Sequence, residues 1–266
     1  MNSSYRICRV VSSNDDAEPF VNYYNLKLKK EFNLFPIYCD YLKENWLVVS
    51  GYGKQSSSFA AIYLKNCSKS KRNSCWLNFG FCYKTGQKVS ELLFVDEIFE
   101  INSKKKLYPS IVNTNSFKRA AIFTVPLYKK NLLSFQDLDS YHFYNTVSKF
   151  SNQELLALLK ISSNLKEKDN KILRDKLIKD NFNKILKLEN ILKGHSKVEG
   201  SYIKKPEHYY EITNLYHFTV SQKNELATLL KMWNNFNSYN LINKIKNLTN
   251  SKLILDFLRR EIEKVT

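Results

Sequence analysis

The hydrophobic pattern of the chain changes near residue 145. Before that point, short runs rich in Val, Ile, Phe, Tyr and Trp alternate with polar segments of Ser, Asn, Lys and Gly. Such runs are typical of β-strands joined by short turns. They favour a small, mostly antiparallel β-barrel or curled sheet. The strands predicted from them are 45–53, 57–65, 75–84, 90–101, 108–114 and 119–128.

After residue 150 the apolar residues recur at the three- to four-residue spacing of amphipathic helices. The segment Ser151-Asn152-Gln153-Glu154 has the residues of a capping box at a helix start. We therefore predict a long helical segment over 150–195, with Gly194 as its stop. From Thr219 onward the pattern predicts three short helices, with Ser251 as the cap of the last, and these form a small bundle over 219–266. The predicted fold class is α+β.

Composition and motifs point away from cofactors, metals and membranes. The chain has only 6 glycines and contains neither GxGxxG nor GxxxxGK[ST], so no cofactor is expected. It has 5 cysteines, an odd number that cannot all pair in disulfides within the chain, and none of them forms a CxxC motif. We interpret them as reduced thiols of an intracellular protein and expect no metal site. No apolar run has membrane-spanning length, and the N-terminus lacks the apolar core of a signal peptide.

No catalytic group is evident from the sequence. The four histidines lack the spacing of HExxH and related motifs. A metal-dependent nuclease needs clustered acids, and the best match, Asp169-Asn170-Lys171, lies on a helical pattern. We therefore predict a protein that is not an enzyme and has no catalytic residue.

The net charge is +17, and its distribution is uneven. No acid occurs between Glu44 and Glu91 or between Glu100 and Asp137, although both stretches contain many lysines. A basic face without acids favours a polyanionic partner such as the DNA phosphate backbone. A proteome that is lysine-rich throughout is the alternative explanation. The candidate nucleic-acid-binding residues are Lys65, Lys69, Lys71, Arg72, Lys104, Lys105, Lys106, Lys118 and Arg119.

The β region resembles a BAH (bromo-adjacent homology) domain over about residues 40–130. The segment Trp76–Lys88 follows the family stretch W-V-x-V-x-W-F-Y-R-P-E-E-T, and Ser90–Ile101 follows N-E-L-F-L-S-x-x-x-D-x-I-P. Lys84-Thr85-Gly86 stands where the family has Arg-Pro-Glu. The resemblance implies a BAH-like β domain over 40–135, preceded by an N-terminal extension over 1–39.

The resemblance also implies a binding site for a histone tail. In some BAH domains an aromatic cage holds a methylated lysine, because ring faces attract a weakly hydrated cation. The matching positions are Phe59, Phe81 and Tyr83, and Asp96 can add a carboxylate. The alternative is that these three rings pack in the core, as we expect for Trp76.

These expectations describe a nuclear chromatin reader or scaffold in gene silencing or transcription regulation. It would bind a histone tail or nucleosome through the BAH-like domain, and a protein partner through its C-terminal helices. One alternative is a basic nuclease or RNA-cleaving toxin of a bacterial or phage system, which would be cytoplasmic. A second alternative is a plain nucleic-acid-binding module.

Overall fold

In the computed structural model, the described residues are 6–87, 90–110, 117–164, 166, 169–203, 205–236 and 241–264. The chain divides into two compact units, Met1–Gly200 and Ser201–Thr266. The first unit contains a mixed sheet with helices, and the second is helical.

Ten strands of the first unit form one sheet. They are β1 (Ile7–Val11), β2 (Lys27–Leu28), β3 (Ile37–Cys39), β4 (Asn45–Val49), β5 (Cys75–Lys84), β6 (Leu92–Glu100), β7 (Lys105–Leu107), β8 (Lys118–Thr124), β9 (Gln136–Asp137) and β10 (Leu156–Asn164). The helices are α1 (Asn14–Tyr23), α2 (Lys54–Ser68), α3 (Ser140–Val147) and α4 (Lys171–Ile203), with a 3₁₀ turn at Gln153–Leu155.

Five of these strands close into a barrel, because β5 pairs with β10 on one side and with β9 on the other. The ring continues from β10 through β6 and β8 back to β9. The strands β1, β4, β3 and β2 extend the sheet outward from β5. The central strands β4, β1, β5 and β10 are mutually parallel, so their carboxyl ends meet at one edge of the sheet.

The continuous apolar character of β5 follows from this position. Parallel strands are covered on both faces, and nine of the ten β5 residues are buried. Successive side chains point to opposite faces of the sheet, so Leu77 and Phe79 pack in one core and Trp76 and Cys82 in the other. The expected burial of Trp76 is confirmed, since it is 0% exposed.

The predicted antiparallel BAH-like barrel is wrong. The central strands are parallel, and α2 occupies the segment 57–65 that we expected to be a strand. Strands β5 and β6 are not a hairpin pair, because β10 lies between them. The predicted extension over 1–39 contributes β1 to the centre of the sheet. Part of the predicted strand at 108–114 lies outside the described residues.

The predicted helix start at Ser151 is also wrong. Ser151 Oγ donates to the carbonyl oxygens of Arg72 and Ser74, and a buried strand, β10, follows at Leu156. The helix of this region, α4, begins at Lys171 and runs through Gly194 to Ile203. The run LLALL fits a buried strand as well as a helix by periodicity alone, and here it fills the gap between β5 and β6.

The second unit contains four helices among its described residues: α5 (Tyr209–Leu215), α6 (Val220–Phe236), α7 (Leu241–Ile245) and α8 (Ser251–Glu263). Its own core is built around Ile212, Leu230, Trp233 and Leu258, all buried. The cap of α8 is Asn250, whose side chain accepts from the Leu253 amide at 3.0 Å, and not the expected Ser251. None of the helices in the described part of the chain is both long and apolar enough to span a membrane.

Candidate functional site

A polar cavity lies at the carboxyl edge of the parallel strands. Ser12 follows β1, Tyr52 and Gly53 follow β4, and Phe81 and Tyr83 lie near the end of β5. Gly53 has φ +109, a conformation that side chains disfavour, and α2 begins directly after it. The remaining lining residues are Asp16 on α1 and, from later segments, Tyr128, Leu138, Asp139 and Arg174.

The cavity has two parts of very different size. The inner part has a volume of about 20 Å³, which is enough for one water molecule. An outer cleft of about 470 Å³ adjoins it and has the size of a small-molecule site. The outer cleft adds Leu127 and Asp169, and the two parts share Tyr52, Tyr83, Tyr128, Leu138 and Arg174.

Asp16 and Arg174 form an ion pair where the two parts meet. Asp16 lies in the first turn of α1, whose cap, Ser13, accepts from the Asp16 amide at 3.2 Å. Its Oδ1 accepts from Arg174 Nη2 at 2.7 Å, and only 1% of the carboxyl side chain is exposed. Burial raises the pKa of Asp16, and the Arg174 charge offsets part of this effect. The Arg174 guanidinium also lies over Phe81, 4.5 Å from the ring centroid.

A second buried cluster supports Asp139. Lys160 Nζ on β10 lies 2.8 Å from Asp139 Oδ1 and 3.1 Å from Asp137 Oδ2. Asn78 Nδ2 on β5 donates to Asp139 Oδ2 at 2.9 Å. Burial acts to raise the pKa of Asp139, but the Lys160 charge and these hydrogen bonds outweigh it, so the pKa is lowered. Asp139 is therefore held as a carboxylate facing the cavity.

Aromatic rings form much of the wall. Phe81 and Tyr83 are stacked with centroids 6.3 Å apart, and Tyr83 meets Tyr128 edge to face at 5.1 Å. Burial raises the pKa of both tyrosines, so their hydroxyls stay protonated at neutral pH. Tyr52 and Leu127 are 60% and 75% exposed at the outer cleft, where a flat ligand can pack against them.

The structure separates the residues of the predicted methyl-lysine cage. Phe81 and Tyr83 are buried on β5 and line the inner cavity. Phe59 lies on α2, is 59% exposed and does not line the inner cavity or the outer cleft. Asp96 is on β6 at a break in the register with β8, away from both.

The predicted nucleic-acid-binding residues also lie at separate places. Lys118 pairs in register with Leu93 near the start of β6, whereas Lys105 pairs with Glu100 at its end. Two of the predicted nucleic-acid-binding lysines form ion pairs with acidic residues: Lys106 contacts Glu97, and Lys118 contacts Glu91. Lys104 and Arg119 are exposed beside them, and the remaining candidates, Lys65, Lys69, Lys71 and Arg72, lie along the end of α2 and the turn before β5.

Sequence reasoning missed the charged residues of the cavity. Asp16 follows a short apolar strand and a capping serine, and Asp139 belongs to the segment QDLDS, whose first two residues form β9. Lys160 interrupts the apolar run LLALLKIS, and a charge in such a run is rarely buried without a partner. A lysine within this apolar run therefore predicts a buried ion pair. No local pattern connects Arg174 with Asp16, since they are 158 residues apart.

Comparisons with known proteins identify the fold. No protein-family profile and no curated protein sequence matches the chain. Among solved structures, a 5'-methylthioadenosine/S-adenosylhomocysteine nucleosidase from Colwellia psychrerythraea, solved with adenine, has a TM-score of 0.55 at 11% identity, covering 73% of this chain and 96% of its own. The futalosine hydrolase of Helicobacter pylori has a TM-score of 0.52 at 11% identity, with coverages of 68% and 98%. The corresponding nucleosidase from Neisseria meningitidis has a TM-score of 0.53 at 11% identity, with coverages of 74% and 99%. The chain thus has a nucleosidase-like α/β fold.

This finding corrects the functional expectations from sequence. The BAH resemblance is wrong, and the expected chromatin reader and its histone or nucleosome partner are wrong with it. The DNA partner was predicted from the acid-free basic stretches, and the comparisons with nucleosidases, which were solved with small molecules, do not support it either. Nuclear localisation rested on the same resemblance. The expectation of a non-enzymatic protein is contradicted by the same comparison, because the three solved structures named above are of enzymes. Nothing in these structures favours the nuclease or toxin alternative.

Proposed function

We propose that the first unit is a nucleosidase, which hydrolyses the bond between the sugar and the base of a nucleoside. The observation that supports this most directly is the pair of buried carboxylates, Asp16 and Asp139, on one cavity that opens into an aromatic cleft. The nucleosidase-like fold agrees with it. Within this proposal the protein acts in the cytoplasm, where such bacterial enzymes find their substrates.

The sizes of the two parts suggest how the reactants are arranged. The outer cleft accommodates the nucleoside, with the base against the exposed faces of Tyr52 and Leu127. The inner cavity has room for one water molecule. The sugar then lies at the boundary between them, beside Tyr83 and Arg174, with its anomeric carbon towards the water.

The two carboxylates have different tasks in the reaction. As the base departs with the electrons of the C–N bond, positive charge develops on the sugar, and the anionic Asp139 stabilises that charge and accepts hydrogen bonds from sugar hydroxyls. The water oxygen bonds to the anomeric carbon and gives a proton to Asp16. Its raised pKa makes Asp16 a stronger base than an ordinary aspartate. The departing base takes a proton from solvent in the open cleft, and Asp16 later returns its own to solvent.

A direct assay tests the proposal. Purified protein is incubated with 5'-methylthioadenosine, S-adenosylhomocysteine, adenosine, inosine and futalosine, and free base is measured by liquid chromatography. We expect base release from at least one of them, and a loss of about 100-fold or more in Asp16→Asn and Asp139→Asn. Asp15→Asn is the matched control, because Asp15 is the neighbour of Asp16 on α1 but is partly exposed and pairs with the exposed Lys171. Failure to cleave any compound, or full activity in Asp139→Asn, would contradict the proposal.

A further inference from the structure

Lys160 is one of the most deeply buried charged residues of the first unit. Only 1% of it is exposed, and its neighbours on β10, Leu159 and Ile161, are apolar and buried. Burying an ammonium group is costly unless opposite charges and hydrogen bonds compensate it. Lys160 has such compensation from two aspartates, Asp137 and Asp139.

The two aspartates face different surroundings. Asp139 lines the cavity and accepts from Lys160 and Asn78. Asp137 lies behind it, where its Oδ1 accepts from Thr124 Oγ1 at 2.9 Å and its Oδ2 accepts from the amide and hydroxyl of Ser140. Lys160 therefore contacts both Asp139, which can contact a ligand in the cavity, and Asp137, whose carboxylate is held by protein hydrogen bonds.

One ammonium cannot neutralise two buried carboxylates. Burial and the charge of Asp139 raise the pKa of Asp137, whereas the pKa of Asp139 is lowered. Asp137 therefore takes a proton more readily, and Lys160 and Asp139 form the fully charged pair. Asp137 and Asp139 thus differ both in ionisation and in position, because only Asp139 lines the cavity. Lys160 contacts both carboxylates.

We propose that Lys160 is a positioning residue: it fixes the orientation of the Asp139 carboxylate towards the cavity and keeps it ionised. The expected effect on kcat rests on the proposed nucleosidase function. The expected orientation and ionisation of Asp139 do not. Lys160 does not line the inner cavity or the outer cleft, so it acts through Asp139 and not on a substrate.

Other titratable groups surround this pair and bear on its pH behaviour. The charge of Asp137 acts on Cys82 of β5, and the charges of Asp137 and Asp139 act on Tyr128. Burial raises the pKa of both groups, so both stay neutral near pH 7. Asp16 and Arg174 face Asp139 across the inner cavity as an ion pair. Among the described residues, Lys160 is thus the basic group in direct contact with Asp139, so its removal should change the pKa of Asp139 most. Its charge also acts to lower the pKa of Asp16.

The first test measures ionisation without activity. Protein labelled with ¹³C at aspartate carboxyl groups is titrated by NMR, with signals assigned from Asp137→Asn and Asp139→Asn. In the wild type we expect Asp139 to titrate below the ordinary aspartate value and Asp137 above it. If Asp139 titrates at or above the ordinary value, the proposal is overturned, whether or not any nucleoside is cleaved.

The second test uses variants of Lys160. In Lys160→Met the ¹³C titration of the Asp139 carboxyl is expected to move up by at least about one pH unit, since its counter-charge is lost. The plateau kcat should fall by about tenfold to 100-fold, because a group misplaced by about 1 Å costs up to about 100-fold. Lys160→Arg should restore the titration of Asp139 but not the full kcat.

Lys118→Met is the control, because Lys118 also pairs with a carboxylate but is exposed. If Lys160→Met folds and Asp139 still titrates as in the wild type, Lys160 has only a structural role. If Lys160→Met does not fold, Lys160→Arg decides, because a wild-type kcat in that variant contradicts the positioning role. Absence of cleavage in the wild type, with the expected carboxyl titration, would refute the nucleosidase proposal and leave the positioning of Asp139 intact.

Discussion

Arg9 and Glu189 form an ion pair that is 0% exposed on both side chains. Arg9 Nε lies 2.5 Å and Nη2 2.7 Å from the two carboxylate oxygens, so the pair is bidentate. Asn45 accepts from Arg9 as well, and the Tyr24 ring lies 4.3 Å from the guanidinium carbon. This pair ties β1 to α4 across the core, independently of the cavity residues.

Glu189→Gln should destabilise the protein strongly. It leaves the Arg9 charge buried without its counter-charge, and breaking a buried pair in this way costs about 3–5 kcal/mol. Urea denaturation gives the change in the free energy of unfolding. Glu97→Gln is the control, since Glu97 pairs with the half-exposed Lys106 and surface pairs contribute about 0–1 kcal/mol. Similar losses in the two variants would show that the buried pair adds little.

The ionisation of Asp137 predicts a pH dependence of stability. Its pKa in the fold is above the ordinary 3.8, so between these two values the folded protein binds more protons than the unfolded chain. Stability therefore falls as pH rises through this window, by up to about 1.4 kcal/mol per pH unit. Asp137→Asn lacks the titration, so its stability relative to wild type should improve as pH rises from about 4, measured by urea denaturation at several pH values. A difference that stays constant with pH would contradict the raised pKa.

At the scale of elements, hydrophobic patterns predicted where strands lie in the sequence better than they predicted which strands pair with each other. The strand predicted at 75–84 is β5, and those predicted at 45–53 and 90–101 contain β4 and β6. Segments 57–65 and 156–164 were assigned the wrong type, because a short apolar run in a buried setting has no distinct period. Direction and order of strands depend on contacts distant in sequence, such as β1 with β5, and no local pattern encodes these.

The dependence on contacts distant in sequence also explains which residues of the cavity could be predicted. Phe81 and Tyr83 line the cavity, but they were singled out because they match the cage positions of the BAH resemblance, which implied a different ligand. Asp16, Asp139, Lys160 and Arg174 come from four separate segments, and only the parallel sheet brings them together. Their chemistry becomes visible once the topology is known.

Two glycines in these elements provide a matched test of backbone conformation. A Cβ at Gly53 or at Gly194 would meet nothing within 4 Å, so contacts do not distinguish the sites. Gly53 has φ +109, and Gly53→Ala should cost about 1–3 kcal/mol of strain. Gly194 lies inside α4, and Gly194→Ala should stabilise by about 0.5–1 kcal/mol. Urea denaturation compares them, and destabilisation by Gly194→Ala would contradict its helical conformation.

At the scale of the whole molecule, the chain has two units with separate cores. The residues of the cavity and cleft lie in Met1–Gly200, and the cluster around Trp233 lies in Ser201–Thr266. Trp76 and Trp233 are 0% and 2% exposed, so each is a large buried side chain of a different core. The nucleosidase proposal concerns the first unit, which makes the contribution of the second an experimental question.

Truncating these two tryptophans should affect different properties. Trp76→Ala and Trp233→Ala should each cost about 3–5 kcal/mol, because removing a buried indole leaves a cavity in a packed core. The loss from Trp76→Ala should appear in the unit with the sheet, and nucleoside cleavage should fail at a lower temperature than in the wild type. The loss from Trp233→Ala should appear in the helical unit, with the temperature profile of cleavage unchanged. Calorimetry of the full chain, combined with cleavage assays over a temperature series, measures both effects. If Trp233→Ala lowered the temperature at which cleavage fails as far as Trp76→Ala does, the activity would depend on the helical unit as well.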